Sequence, residues 1–231
     1  MYIKGWVKVP QILALGDCNT LGIDNVKGNA YPELFAKEID KTVLNCGFTM
    51  STTREMKYFF NDYKDNEIEI ILIQYGLVDS WKTFKYAPYV LYYPDNGIRK
   101  FCRKIVKKYK KITKKIGLNK LLGISNVVDL EEYESNIESI IHQAKNRIIF
   151  LIDTVPNLDT SRNIEIIRYN HILSQLSRKY KHVHYIEAYN DFIGKTKYYL
   201  EATHLNRLGN IVIAQKILSV YCQIIQNNKG K

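Results

Sequence analysis

At 231 residues, with 46% hydrophobic and 25% charged side chains, the chain is long enough for one α/β domain with a full core, and its composition excludes a disordered or fibrous polymer. It contains no run of 18 consecutive apolar residues, so a membrane-spanning helix is not expected, and the opening Met1-Tyr2-Ile3-Lys4-Gly5-Trp6 lacks the apolar region of a signal peptide. The net charge is +11, and residues 99–120 alone hold eleven Lys and Arg with no Asp or Glu, so the excess is one local patch on an otherwise neutral body.

In chain order, residues 11–16 read as a buried strand, 31–39 as a helix, 42–46 as a second strand, 53–63 as a helix and 67–74 as a third strand. Residues 131–145 read as a helix, 147–153 as a fourth strand, 160–180 as a helix, 182–187 as a fifth strand and 207–226 as the last helix. Strands that are apolar without alternation, such as Ile70-Ile71-Leu72-Ile73, are expected in a parallel sheet covered on both faces. Alternation of such strands with helices predicts a doubly wound α/β domain over residues 1–231. Ligands bind beyond the carboxyl ends of the strands in sheets of this kind. Cys18, Gly47, the stretch 76–79 and Pro156 all fall there.

Residues from about 80 to 120 break the alternation and read as an insertion after strand 3. Its first part is aromatic, with Trp81, Phe84, Tyr86, Tyr89, Tyr92 and Tyr93. Its second part is a basic helix, with Ile98, Phe101, Ile105, Tyr109, Ile112 and Ile116 forming one apolar stripe and Lys and Arg covering the rest. Arg99, Lys100, Arg103, Lys104, Lys107, Lys108, Lys111 and Lys115 are candidates for binding an anionic membrane surface or an anionic glycan. No nucleic-acid motif accompanies the patch, and nucleic acid is the disfavoured partner. A cytoplasmic location, with peripheral attachment at the inner membrane surface as an option, is the corresponding expectation.

The four cysteines, Cys18, Cys46, Cys102 and Cys222, match neither a zinc site nor a disulfide framework, and no metal or organic cofactor is implied. Cys102 and Cys222 read as buried small hydrophobes. Cys18 stands apart because a tight turn, Gly16-Asp17-Cys18, follows an apolar strand and presents a nucleophile. Far downstream, Glu201-Ala202-Thr203-His204 places an acid three residues before a histidine, the spacing at which a carboxylate can hold Nδ1–H and fix the imidazole tautomer.

This ordered set resembles the SGNH/GDSL hydrolase family. Gly16-Asp17-Cys18 stands for Gly-Asp-Ser, Gly47 for the second-block glycine, Gly76-Leu77-Val78-Asp79 for Gly-x-Asn-Asp, and Glu201-Ala202-Thr203-His204 for Asp-x-x-His. The resemblance implies a three-layer α/β/α sandwich with a central five-stranded parallel sheet of the flavodoxin-like type. It also implies an esterase or acyltransferase activity with a Cys18–His204–Glu201 triad, and an oxyanion hole from the backbone N–H groups of Cys18 and Gly47. Three departures matter. Cys18 replaces serine, Glu201 replaces aspartate, and Val78 replaces the asparagine that donates to the oxyanion, the loss of which costs about 10²–10³ in rate. Asn19 or a side chain of the aromatic loop is a candidate replacement. Asn19, Val78, Asp79, Trp81, Tyr89 and Tyr92 are the candidate substrate-binding residues, Asp79 and Asp17 being better suited to organising turns. His204 is expected to deprotonate Cys18 or to hold it as a thiolate ion pair that alkylates fast near neutral pH. The expected substrate is a carbohydrate-linked or other small acyl ester, in a setting such as bacterial surface-polysaccharide modification. The rival expectation is a catalytically impaired protein of the same fold that binds a glycan or an anionic membrane surface.

Overall fold

A computed structural model describes residues 9–229, so the N-terminal segment read above for a signal peptide lies outside the described residues. Strand β1 (Ile12–Gly16) runs into the short helix α1 (Cys18–Leu21), followed by α2 (Tyr31–Glu38), β2 (Val43–Gly47), α3 (Thr53–Tyr63) and β3 (Ile70–Gln74). An excursion of β4 (Lys82–Phe84), α4 (Gly97–Lys115), α5 (Leu118–Leu122) and β5 (Ile124–Asn126) comes next. The chain continues with α6 (Leu130–Gln143), β6 (Ile148–Ile152), α7 (Asn163–Lys179), β7 (Val183–Ile186), α8 (Tyr189–Phe192) and α9 (Arg207–Lys229). The central sheet has five parallel strands in the order β2-β1-β3-β6-β7, as the apolar runs predict.

Successive strand residues point to opposite faces, and each face is covered. Leu13, Leu15, Ile71, Ile73 and Leu151 pack under α3, α6 and α7, against Phe60, Ile137 and Leu173. Ile12, Ala14, Leu72, Phe150 and Ile152 pack under α2 and α9, against Phe35, Ile213 and Ile217. By length and composition alone α9 could cross a membrane, its window Arg207–Asn227 averaging a hydropathy of 1.4. In the fold it lies along the sheet with Ile213, Ala214 and Ile217 buried.

The excursion leaves the sheet after β3 and is closed at Val127, whose N–H donates to the Trp81 carbonyl at 2.9 Å, with β4 and β5 paired antiparallel at its base. Helix α4 sits in an unexpected way. Its apolar stripe does not pack inward: Ile98 is 77% exposed, Phe101 64%, and Ile105, Tyr109, Ile112 and Ile116 are exposed as well. The side turned toward the body carries Thr113, which is buried, and the half-buried Cys102, Arg103, Val106 and Lys110. Cys222, read as buried, is exposed on α9, and Cys102, read the same way, is only half-buried on α4; neither belongs to a core cluster.

Candidate active site

The nucleophile turn is built by close packing. Asp17 caps α1, its carboxylate accepting from the Asn19 N–H at 2.9 Å. The helix then lies against the end of β2, where a Cβ on Gly47 would fall 2.2 Å from the Leu21 nitrogen, so only glycine permits the approach. Cys18 ends up 6% exposed, packed with Leu77 and Ile166. Burial, and then the negative charge of Asp17, push its thiol far above the ordinary cysteine range, while the N–H groups of Cys18 and Asn19 act in the other direction. Burial thus favours the neutral thiol over a thiolate ion pair, and of the two expectations for His204 it leaves deprotonation of Cys18 as the better fit.

The acid and the histidine are brought together as predicted. One Glu201 carboxylate oxygen, Oε1, accepts from the His204 ring at Nδ1, from the His204 backbone N–H at 2.9 Å and from the Thr203 N–H at 3.2 Å. Having one more methylene than aspartate, Glu201 folds back over its own turn to do so. The loop is closed by a bridge between Tyr199 and Leu205 and by a bond from the Leu200 N–H to the His204 carbonyl at 2.8 Å.

Asn19, the residue after Cys18, ties this loop to the nucleophile turn. Its Nδ2 donates to the Thr203 carbonyl at 3.2 Å, and its Oδ1 accepts from the Leu205 N–H at 3.0 Å. The two bonds flank His204 on either side. Asn19, which the sequence suggested as a substrate ligand or replacement oxyanion donor, thus spends its Oδ1 and one Nδ2 hydrogen on the acid–histidine loop. Asn210 adds a second tie, accepting from the Tyr31 N–H at 2.9 Å and donating to the Asn206 carbonyl at 2.9 Å. Among the described residues no hydrogen bond joins the Cys18 thiol to the His204 ring, which is 24% exposed.

The expected oxyanion hole is altered. The Gly47 N–H donates to Asn45 Oδ1 at 2.9 Å, so it is not free to serve an oxyanion in this conformation. The Cys18 N–H, at the first position of α1, has no intrahelical acceptor and faces the nucleophile. Val78 is buried and has no donor to offer. Beside it the Trp81 indole N–H is buried without an acceptor in the protein.

Val78, Trp81, Tyr89 and Tyr92 line one cavity of about 700 Å³, together with Arg103 and Lys107 from α4. Lys100, Lys104 and Lys110 also face it, whereas Lys108, Lys111 and Lys115 lie outside it on the exposed surface. Arg99 is turned to the loop, donating to the Pro94 carbonyl. The predicted anion-binding set is therefore divided between a cavity and an outer surface. The aromatic loop is anchored by Glu55, which is fully buried and accepts from the Tyr89 hydroxyl at 2.9 Å and the Tyr92 N–H at 2.8 Å. Sequence reasoning did not single out Glu55, although Thr52-Thr53-Arg54-Glu55 carries the capping-box spacing that α3 displays. Asn157, whose Nδ2 reaches the Thr203 hydroxyl at 3.2 Å, left no sequence signal at all.

Asp79 is not a substrate ligand. It is fully buried and accepts from the Thr53 N–H at 2.9 Å and hydroxyl at 2.7 Å, anchoring α3, which is the turn-organising role its type suggested. Its second oxygen has no partner, and burial raises its pKa from 3.8 to about 7; Asp17 is raised to about 7 by the same cause, with the Asp79 charge adding to it. The folded state then holds more protons than the unfolded state between pH 4 and 7. These carboxyls favour folding most at low pH, and that contribution is lost as pH rises through about 7, at up to ~1.4 kcal/mol per pH unit for each proton held. Asp79→Asn keeps an acceptor for Thr53 and carries no charge. Its urea midpoint is expected to fall less than the wild-type midpoint between pH 5 and pH 8; equal falls would show that Asp79 is ionised throughout.

No protein-family model matches the chain, and no curated protein sequence does. Solved structures do match. A lipolytic protein of the G-D-S-L family from Desulfitobacterium hafniense superposes with a TM-score of 0.61 at 16% identity, covering 89% of this chain and 96% of that one. A catalytic mutant of an acetylxylan esterase from Geobacillus stearothermophilus gives 0.61 at 15% identity, covering 92% and 94%. A lipase/acylhydrolase from Enterococcus faecalis gives 0.60 at 16% identity, covering 91% and 94%. With its parallel sheet order, its nucleophile turn after β1 and its acid–histidine loop before α9, the chain has the SGNH/GDSL hydrolase fold.

Proposed function

We propose that the protein is an acyl-ester hydrolase or acyltransferase in which Cys18, His204 and Glu201 act as a triad. The observation that carries this reading is the Asn19 clamp: a paired acid and histidine are held against the nucleophile turn by bonds on both sides of the histidine. His204 Nε2 accepts the Cys18 proton as sulfur attacks the acyl carbonyl, and Glu201 stabilises the imidazolium. The C–O bond to the alcohol breaks, the imidazolium returns the proton to the departing oxygen, and a thioester remains. Water or a sugar hydroxyl then attacks the thioester, His204 takes the incoming proton and restores it to the sulfur, and the acyl product leaves. The Cys18 N–H is the donor that the turn itself offers to the oxyanion. The bond between Cys18 and His204 forms only in the substrate complex, a common difference between resting and working sites.

The substrate reading is a carbohydrate-linked or other small acyl ester. The cavity lined by Val78 and the aromatic loop supports it, since aromatic faces suit sugar rings and Arg103, Lys107 and Lys110 suit an acidic glycan, as in surface-polysaccharide modification. The test is turnover of acetylated oligosaccharides with and without uronic acid. Acetyl release or transfer should vanish in Cys18→Ala and should favour the acidic substrate, a preference that Lys107→Gln with Lys110→Gln reduces. A specific observation favours a second reading, a non-catalytic glycan binder. Val78 and the occupied Gly47 N–H leave the oxyanion hole short of donors. Binding of the acidic glycan without turnover, unchanged in Cys18→Ala, would establish that reading instead.

A further inference from the structure

We infer that the outer surface of α4 docks the protein onto an anionic lipid bilayer, with the helix lying in the plane of the interface. The six-residue apolar stripe is exposed from Ile98 at 77% to Ile116 at 65%, with Tyr109 alone turned partly against the buried Phe84. The segment that follows extends the surface with Leu121, 78% exposed, and Ile124. Isolated exposed hydrophobics are ordinary; a continuous strip of this size on a helix marks an interaction surface.

The charges beside the strip decide the occupant. Lys108 and Lys115 each follow a stripe residue by three positions and so lie next to it on the helix surface, both exposed and outside the cavity. Residues 99–120 contain no acidic side chain to neutralise them. A second copy of the chain would bring the same positive rim against itself, which opposes a symmetric dimer through this face. An anionic bilayer satisfies both halves of the pattern: acyl chains accept Phe101, Ile105 and Ile112, and lipid phosphates accept the lysines, which reach outward on long stems. The inward side of α4 stays free for the cavity, so docking is independent of the catalytic reading and does not rest on it.

The test is co-sedimentation of the full chain with vesicles of phosphatidylcholine alone or with one third phosphatidylglycerol. Binding is expected to the mixed vesicles and to be far weaker to phosphatidylcholine. Phe101→Asp with Ile105→Asp should weaken it by about 100-fold, through loss of two large apolar side chains from the interface. Lys108→Gln with Lys115→Gln, both outside the cavity, should weaken it by about 20- to 30-fold. All four positions are exposed, and unchanged circular-dichroism melting checks that the variants fold. A tryptophan placed by Phe101→Trp should shift its emission to the blue on mixed vesicles. No binding to the mixed vesicles would overturn the inference, as would binding indifferent to the two aspartates. A concentration-dependent dimer that the same aspartates dissociate, without vesicle binding, would assign the surface to a second copy.

Discussion

His204→Ala is expected to slow acylation of Cys18 by about 10²–10⁴-fold at neutral pH, the range of a positioned general base. The reason lies in the state of the sulfur. Packed with Leu77 and Ile166 and next to the Asp17 carboxylate, the thiol keeps its proton well above the ordinary cysteine range, so there is no standing thiolate to attack an ester. The wild-type rate should depend on pH less steeply than that of the variant. Without the imidazole, the rate should keep climbing by about tenfold per pH unit, following the thiolate fraction. Iodoacetamide should likewise label Cys18 more slowly than the exposed Cys222 at pH 7. Stopped-flow acylation by 4-nitrophenyl acetate across pH 6–9 reads both effects. Parallel profiles for the two proteins would remove His204 from the proton path.

Asn19→Ala should lower kcat by about 100-fold, because a misplacement of the order of 1 Å at a catalytic group carries a penalty of that size. The variant loses the bond to the Thr203 carbonyl and the bond from the Leu205 N–H together, and with them the register of His204 over the nucleophile turn. Stability should fall by only about 1–3 kcal/mol, as expected when buried groups lose a partner. The conservative Asn19→Asp keeps an acceptor for Leu205 and loses the donor to Thr203, so its kcat should lie between the two. A small loss of stability with a large loss of turnover identifies a positioning role. A variant with wild-type kcat and a lowered melting temperature would show that Asn19 serves the fold alone.

Much of this arrangement is legible in the chain because its physics is local or periodic. Strands covered on both faces read as unbroken apolar runs, and they appear where Ile70-Ile71-Leu72-Ile73 and its counterparts place them. The acid–histidine couple reads from its three-residue spacing taken together with the Cys18 turn and the resemblance to the Asp-x-x-His block. What the sequence withholds is orientation and hydrogen-bond competition. The period of α4 states which residues share a face but not which face meets the body, and the fold turns Arg103, Val106 and Lys110 inward and leaves Phe101 and Ile105 outside. Gly47 is in place, yet Asn45 two residues earlier takes its N–H, a capture invisible without coordinates. Asn19 looks like a free polar side chain near a nucleophile until Thr203 and Leu205, more than 180 positions away, are seen bonded to it.

The most direct measurement is intact-mass spectrometry with peptide mapping after brief exposure to 4-nitrophenyl acetate. The Cys18–His204 site predicts a single acetyl group on the Cys18 peptide, slowed in His204→Ala and absent in Cys18→Ala. Acetylation scattered over surface lysines and Cys222 at equal rates in wild type and Cys18→Ala, with none on the Cys18 peptide, would contradict it.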